Sequence, residues 1–454
     1  MKTVDVGAAI DEGRWTGYQK LLIVGTALTI ILDGVDNQLL PNTVPTLIKE
    51  WGQPGPAFAN ALAFGPLGMM IGGMVGGMVG DRLGRRTALM FSVITFGVVT
   101  FAISFVDNLT SLAILRFLAG LGLGGAMPNA ASLASEYVPR RQRPFAVTLT
   151  IVCIPLGGFV AAELAARIIP IYGWRTLFQV GGLIPLVLAA VLWVVLPESP
   201  RYLAQRRERW GELTKLMRRI GHTVPDDVSY VEAVTGGAPA KGKATLRDLF
   251  SPMFARDTAA LWASYFFCLM VNYVAIQRVP TMLAGAGFPQ PEASRGLTMV
   301  NIGGVVGAIV GALLIQRLGS RLTMLGMCVA AVVCSVIMVG IQLDPMDTFA
   351  LMAMFLITGG LLNAVQTTMY ALAAHVYPTE IRSTGVGAAV AFGRIGNVLA
   401  VYVADYALKL GGSRAYFTEW AVLMGVVFLS LAVLRNHVPR SAAIAQAHAG
   451  PAAR

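Results

Sequence analysis

Twelve apolar runs, each close to the ~20 residues that a helix needs to cross ~30 Å of hydrocarbon, govern what this chain can become. They lie at roughly 19–40, 57–79, 86–106, 110–133, 144–168, 174–196, 258–280, 293–315, 321–342, 348–373, 383–407 and 416–435. A soluble fold has no place for so much apolar surface: only 13% of the 454 residues are charged, where soluble domains carry about 25%. In lipid, every backbone polar group must find its partner inside the protein, so such runs become helices. The expected fold class is an all-α membrane protein with twelve transmembrane helices.

A net charge of +11 invites a nucleic-acid partner, but the placement of the basic residues explains it without one. With the N-terminus inside, most of the 35 Lys and Arg fall on the cytoplasmic side, as the positive-inside rule requires. Both termini are then cytoplasmic, the lipid bilayer is the principal partner, and no nucleic acid is expected. The four cysteines, Cys153, Cys268, Cys328 and Cys334, all lie in spans without metal-ligand spacing, and read as small apolar packing residues. The sequence has no phosphate loop, nucleophile triad or metal cluster, so no metal, cofactor or enzymatic activity is expected. Met1 to Lys20 lacks a signal-peptide pattern, and the first span is expected to act as its own insertion signal.

The organisation expected is an N-terminal segment 1–18, six spans over 19–196, a polar cytoplasmic loop 197–257, six spans over 258–435 and a disordered tail 436–454. Within the loop, Pro197-Glu198-Ser199-Pro200-Arg201 opens a basic stretch suited to short surface helices, and Gly236 to Lys243 has linker composition. The two sets of six spans echo one another. Gly72-x3-Gly76-x4-Asp81-Arg82-Leu83-Gly84-Arg85-Arg86 returns as Gly307-x3-Gly311-x4-Gln316-Arg317-Leu318-Gly319-Ser320-Arg321 at an offset of 235, and Pro139-x3-Arg143 returns as Pro378-x3-Arg382 at 239. Two echoes at nearly one offset indicate a parallel duplication of a six-helix unit.

Four charged residues break the apolar pattern at membrane depth. Asp33 and Asp36 share one face of the first span, three residues apart. Arg116 enters early in the fourth span, and Arg394 lies ~18 Å into the eleventh, near the bilayer midplane. Each buried charge costs roughly 2.5–3.5 kcal/mol on insertion scales, so each requires a partner or a task.

The Gly-x4-Asp81-Arg82-Leu83-Gly84-Arg85-Arg86 loop in a twelve-span chain resembles the major facilitator superfamily, whose fold is two pseudo-symmetric six-helix bundles. Several narrower features resemble its aromatic acid:proton symporter family, the 4-hydroxybenzoate, protocatechuate and benzoate-type transporters. They are Asp33-Gly34-Val35-Asp36, the run from Arg116 through Gly120, Gly122, Gly124, Gly125, Pro128 and Asn129 to Ser135-Glu136-Tyr137, Pro197-Glu198-Ser199-Pro200-Arg201, Arg382-Ser383-Thr384-Gly385, and Gly393-Arg394-Ile395-Gly396. Val35 and Pro41 depart from it, standing where an aromatic residue and a glycine are usual. The resemblance implies a functional monomer in the bacterial inner membrane, importing a benzoate-type carboxylate with a proton by alternating access. The alternatives are a carrier of the same superfamily for another organic anion, a sugar or a drug, and a transporter-like chemoreceptor.

Within this frame Asp33, Asp36 and Arg116 are candidates for proton coupling, with a purely structural ion pair as the alternative. Arg394 is the candidate anchor for the substrate carboxylate, since a guanidinium fork matches a carboxylate in bidentate geometry. Its alternative is a packing ion pair with Asp405. Asn272, Gln277, Asn301, Asn363, Gln366, Tyr370 and Asn397 are candidates to line the cavity, though each alone can equally be an interhelical contact. Gly76, Asp81, Arg82, Gly84, Arg85, Arg86, Glu136, Arg143 and Arg382 are expected at a cytoplasmic gate. Glu163 and Arg167, four apart, are expected to pair.

Overall fold

Ten helices long and apolar enough to cross a membrane occur among the described residues of the computed structural model, which are 2–222, 224, 228–231, 246–378 and 381–439. Eight are single spans: Gly17–Trp51, Ala59–Leu83, Arg85–Ile103, Leu109–Tyr137, Ala255–Gly285, Gln290–Leu318, Ser320–Gly340 and Phe349–Val376. The other two turn sharply in mid-course. Arg143–Val195 breaks at Gly173 and Arg382–Val433 at Gly411 and Gly412, where Gly173 and Gly412 have φ of 80° and 57°. Each therefore supplies two spans, and the twelve legs follow the twelve apolar runs.

By internal contacts the chain forms two compact units, one of Met1–Asn37, Leu67–Gly157 and Arg175–Ala240, the other of Gln38–Pro66, Gly158–Trp174 and Lys241–Arg454. In the first, the second and fourth spans meet glycine to glycine. A Cβ on Gly72 would stand 2.1 Å from the Leu121 carbonyl oxygen, and one on Gly76 2.4 Å from the Gly125 Cα. The first and fifth spans cross at Gly34 and Gly157, where added Cβ atoms would lie 2.3 Å from the Ile154 oxygen and 2.1 Å from the Ile31 oxygen. Lipid gives helices no hydrophobic reason to associate, so close van der Waals approach through small residues does the holding.

The second unit repeats this packing. Cβ atoms on Gly303 and Gly307 would lie 1.9 Å from the Leu356 oxygen and 2.0 Å from the Gly360 oxygen, bringing the eighth and tenth spans together. Gly396 of the eleventh span meets the Phe266 oxygen of the seventh at 2.3 Å in the same sense. Gly72 and Gly307 are 235 apart, Gly157 and Gly396 are 239 apart, so the offsets read from the loops persist in the helix contacts.

The N-terminal segment has structure of its own. Lys2–Asp5 pairs in parallel with Val228–Val231 of the central loop. Asp5 then caps the helix Val6–Glu12, its Oδ1 accepting from the Gly7 and Ala8 amides at 2.9 and 3.2 Å. Val6 and Ile10 pack with Leu203, Leu213, Leu216, Met217 and Tyr230, so the short helices expected in the loop, Pro200–Ala204 and Trp210–Arg219, are present and both share a small core with the N-terminus. The linker 236–243, residues 379–380 of the second Pro-x3-Arg echo and the tail beyond 439 lie outside the described residues. Of the tail, His437 Nδ1 and the Val438 amide meet the Ser320 hydroxyl at 3.1 and 2.8 Å.

Candidate functional site

Asp36 and Arg116, both candidates for proton coupling, meet in the first unit. Arg116 Nη1 lies 3.1 Å from Asp36 Oδ2 and 3.3 Å from the Asp36 carbonyl oxygen, and the Thr100 hydroxyl donates to Oδ1. Asp36 is 0% exposed, Arg116 3% and Asp33, one turn earlier, 4%. Gly34 between the aspartates is the close-crossing residue against the fifth span, so the Asp-Gly-x-Asp sequence sets charge and packing on adjacent faces of one helix turn. Thr100 carried no sequence signal: a threonine in an apolar span is common, and only the azimuth of the third helix turns this one toward Asp36.

The loop after the second span forms a polar lattice. Gly84 has φ of 106°, and a Cβ there would stand 2.2 Å from Glu198 Oε2. Glu198 is thereby seated at the start of the third span, where its Oε1 accepts from the Arg86 amide at 2.9 Å and its Oε2 from the Thr87 hydroxyl at 3.4 Å, as a carboxylate at a helix N-terminus should. Asp81 pairs with Arg85 at 2.7 Å, Arg85 reaches Glu136 at 3.3 Å, and Glu136 accepts from the Ser199 hydroxyl. A cavity of about 380 Å³ opens here, lined by Asp81, Arg85, Glu136, Arg201, Tyr202 and Gln205. The Arg82 carbonyl accepts from Tyr202 and Arg206 at 3.2 and 2.8 Å. Gly76 stands apart from these charges, in the glycine contact with Gly125. Arg143 is paired with Asp11 of the N-terminal helix and donates to the Ser135 oxygen at 3.2 Å. Arg382 donates to the Tyr377 oxygen at 3.3 Å. The sequence named the Pro-Glu-Ser-Pro-Arg motif but not its task, which is to cap the third span and brace Glu136.

In the second unit the remaining candidates divide. Arg394 is half-buried, and its charge acts on the Tyr370 phenol of the tenth span. Tyr370 lies edge-on to Tyr265 with ring centroids 5.9 Å apart. Asn397, one turn beyond Arg394, is buried and its Oδ1 has no hydrogen-bond partner among the described residues. Gln366 is half-buried on the same helix as Tyr370. Asn272 and Asn363 donate to their own helices, to the Cys268 oxygen at 2.9 Å and the Gly359 oxygen at 3.1 Å.

Asn301 and Gln38 exchange two amide hydrogen bonds, at 3.0 and 2.7 Å, in the space left by Gly158. Gln277 donates to the Leu62 oxygen at 3.5 Å. Asp405, the alternative partner for Arg394, instead binds Arg278 at 2.5 Å. The reason is position: both lie at the end of the second unit where the seventh span finishes and the eleventh turns into the twelfth. Glu163 and Arg167 pair at 3.3 Å, and Glu163 also accepts from Thr298 at 3.3 Å.

The family model of the Major Facilitator Superfamily matches residues 26–401. The chain is 32% identical to the gallate transporter of Pseudomonas putida over 95% of each chain, and 32% identical to the 4-hydroxybenzoate transporter of Acinetobacter baylyi over 91% of this chain and 90% of that one. It is 30% identical to the benzoate transport protein of Acinetobacter baylyi over 90% of this chain and 88% of the other. Among solved structures, a D-xylose-proton symporter superposes with a TM-score of 0.68 at 15% identity, covering 94% of this chain and 99% of the other. A bacterial homologue of the human lysosomal transporter Spinster, inward-facing and unoccupied, superposes with a TM-score of 0.66 at 16% identity, covering 93% and 95%. At those identities the structures speak for the fold, and the fold agrees with the sequence relatives. The chain is a membrane transporter, not an enzyme, and belongs to the Major Facilitator Superfamily.

Proposed function

We propose that this transporter imports an aromatic carboxylate of the benzoate type together with a proton across the bacterial inner membrane, as a monomer with both termini in the cytoplasm. The observation that carries the reading is the buried Asp36–Arg116 pair with Asp33 one turn away, in a chain whose relatives are transporters of gallate, 4-hydroxybenzoate and benzoate. Arg116 and Thr100 hold Asp36 as a fixed anion. Asp33 takes the proton, because two buried carboxylates one helix turn apart are costly to ionise together. In the second unit Arg394 receives the substrate carboxylate as a bidentate fork, and Tyr370 and Tyr265 offer ring edges and faces to its aromatic body. The Asp81–Arg85–Glu136 lattice belongs to the cytoplasmic gate, which fits the crowd of basic residues at that end, Arg140, Arg141, Arg206 and Arg207 among them.

The test is uptake into proteoliposomes under an imposed pH gradient, using labelled 4-hydroxybenzoate, benzoate and gallate. Accumulation of at least one acid should collapse when a protonophore is added. Asp33→Asn should lose accumulation while retaining exchange of labelled for unlabelled substrate. Accumulation insensitive to the protonophore would overturn proton coupling, and unchanged affinity in Arg394→Ala would overturn the carboxylate anchor.

A further inference from the structure

At one end of the second unit, the seventh, eleventh and twelfth spans enclose three ionisable groups. Arg278 is 0% exposed; its Nη2 donates to Asp405 at 2.5 Å and to the Gly55 carbonyl oxygen at 3.4 Å. Its Nε and Nη1 have no hydrogen-bond partner among the described residues. On the twelfth span, both carboxyl oxygens of Glu419 are buried and likewise have no hydrogen-bond donor among the described residues. Tyr416, one turn earlier, is already committed to the Val274 oxygen at 2.8 Å. The surrounding shell is aromatic: Phe355, Phe417 and Trp420 pack ring to ring beside it. Lys409 and Arg414, the nearby cations of the eleventh and twelfth spans, are exposed.

One cation and two acids enclosed together are electrically balanced only with one proton added. Asp405 has the guanidinium, so the proton belongs on Glu419, whose ionised form would lie buried with no donor, an arrangement proteins avoid by neutralising the group. We propose that Glu419 is a proton-binding site whose occupancy is linked to closure of this end of the second unit.

Closure here is polar. Residues of the first and second spans are fastened to the second half of the chain through Gly55 to Arg278, Asn60 to Tyr402 at 2.8 Å, and the Asn42 oxygen to Gln290 at 2.6 Å. When that joint parts, water reaches Glu419, which can ionise and compete with Asp405 for Arg278. Acid on this side then favours the closed joint and alkali the open one. The inference deepens the reading of proton-coupled transport but assigns Glu419 a different proton from that of Asp33, one that controls a gate without being carried.

The test reads the joint directly and uses neither substrate nor gradient. Ala59 is buried beside it; an Ala59→Cys variant is labelled with a membrane-impermeant maleimide, with and without Glu419→Gln, across a range of pH. Each rate is taken as the ratio of the Glu419 protein to E419Q at the same pH, which cancels the ionisation of the thiol itself. The ratio should be near one in acid and rise about threefold or more in alkali, as a shifted two-state population requires. A flat ratio overturns the inference. Should E419Q not fold, a hydrophobic carbodiimide applied to the protein with Glu419 in place decides the matter: it should modify Glu419 in acid and progressively less in alkali, and absence of the adduct overturns the inference. A protonophore-insensitive uptake would sink the parent reading while leaving this labelling result standing.

Discussion

Two buried arginine–aspartate pairs, one in each unit, are completed in different ways. Around Asp36, both carboxylate oxygens have donors, Arg116 on one and Thr100 on the other, and Arg116 leaves its Nε without a partner among the described residues. Around Asp405, Arg278 keeps two nitrogens without partners among the described residues, and a second acid, Glu419, is close enough for the two charges to act on one another. A buried ion pair offsets the loss of hydration only when its remaining hydrogen-bonding capacity is met. The first pair therefore behaves as a fixed charge against which Asp33 can work, and the second as a balance that one proton tips.

The strongest way to break that comparison is Arg116→Ala. It strands Asp36 without a cation, and we expect a loss of about 3–5 kcal/mol in stability together with abolished accumulation, read by thermal unfolding in detergent and by uptake. A variant that melts like the parent protein would show that Asp36 is not the fixed charge described. Arg278→Met should cost less, about 1–3 kcal/mol, because Asp405 can neutralise itself and only a hydrogen-bonded partner is lost; adding Asp405→Asn should recover part of it, measured in the same melts.

A subtler comparison sets Gly84 against Gly319, the two loop glycines of the duplicated motif, with φ of 106° and 78°. Alanine at either should cost about 1–3 kcal/mol from the backbone alone. Gly84→Ala should be the worse of the two, because its Cβ would displace Glu198 from the third span; equal melting temperatures would remove the asymmetry. Smallest of all, Arg167→Ala should change stability by no more than about 0.5 kcal/mol, since Arg167 is 79% exposed in its pair with Glu163.

Hydropathy and glycine spacing made most of the fold legible, because both are local in sequence. The helix ends were less so. The first apolar run stops near residue 40, yet the helix continues to Trp51, since Asn42 and Thr43 turn their polar groups onto their own helix, at 2.8 Å each to the Gln38 and Leu39 oxygens. A polar residue satisfied this way no longer marks the end of a span. For the site, the charges that interrupt apolar runs made Asp36 and Arg116 candidates together, because residue type is known in advance. The direction each helix faces is not, and so Thr100, the Gln38–Asn301 exchange and the preference of Asp405 for Arg278 over Arg394 were out of reach. Arg278 sits at the end of an apolar run, where a cation ordinarily marks topology and nothing more.

The parallel pairing of Lys2–Asp5 with Val228–Val231 has a consequence for biogenesis. The ribosome makes the first strand at the outset and its partner only after six spans have been synthesised, so the N-terminal segment must wait through the insertion of the entire first half. The two-stranded sheet can therefore close only after residues 228–231 have been made, long after Lys2–Asp5.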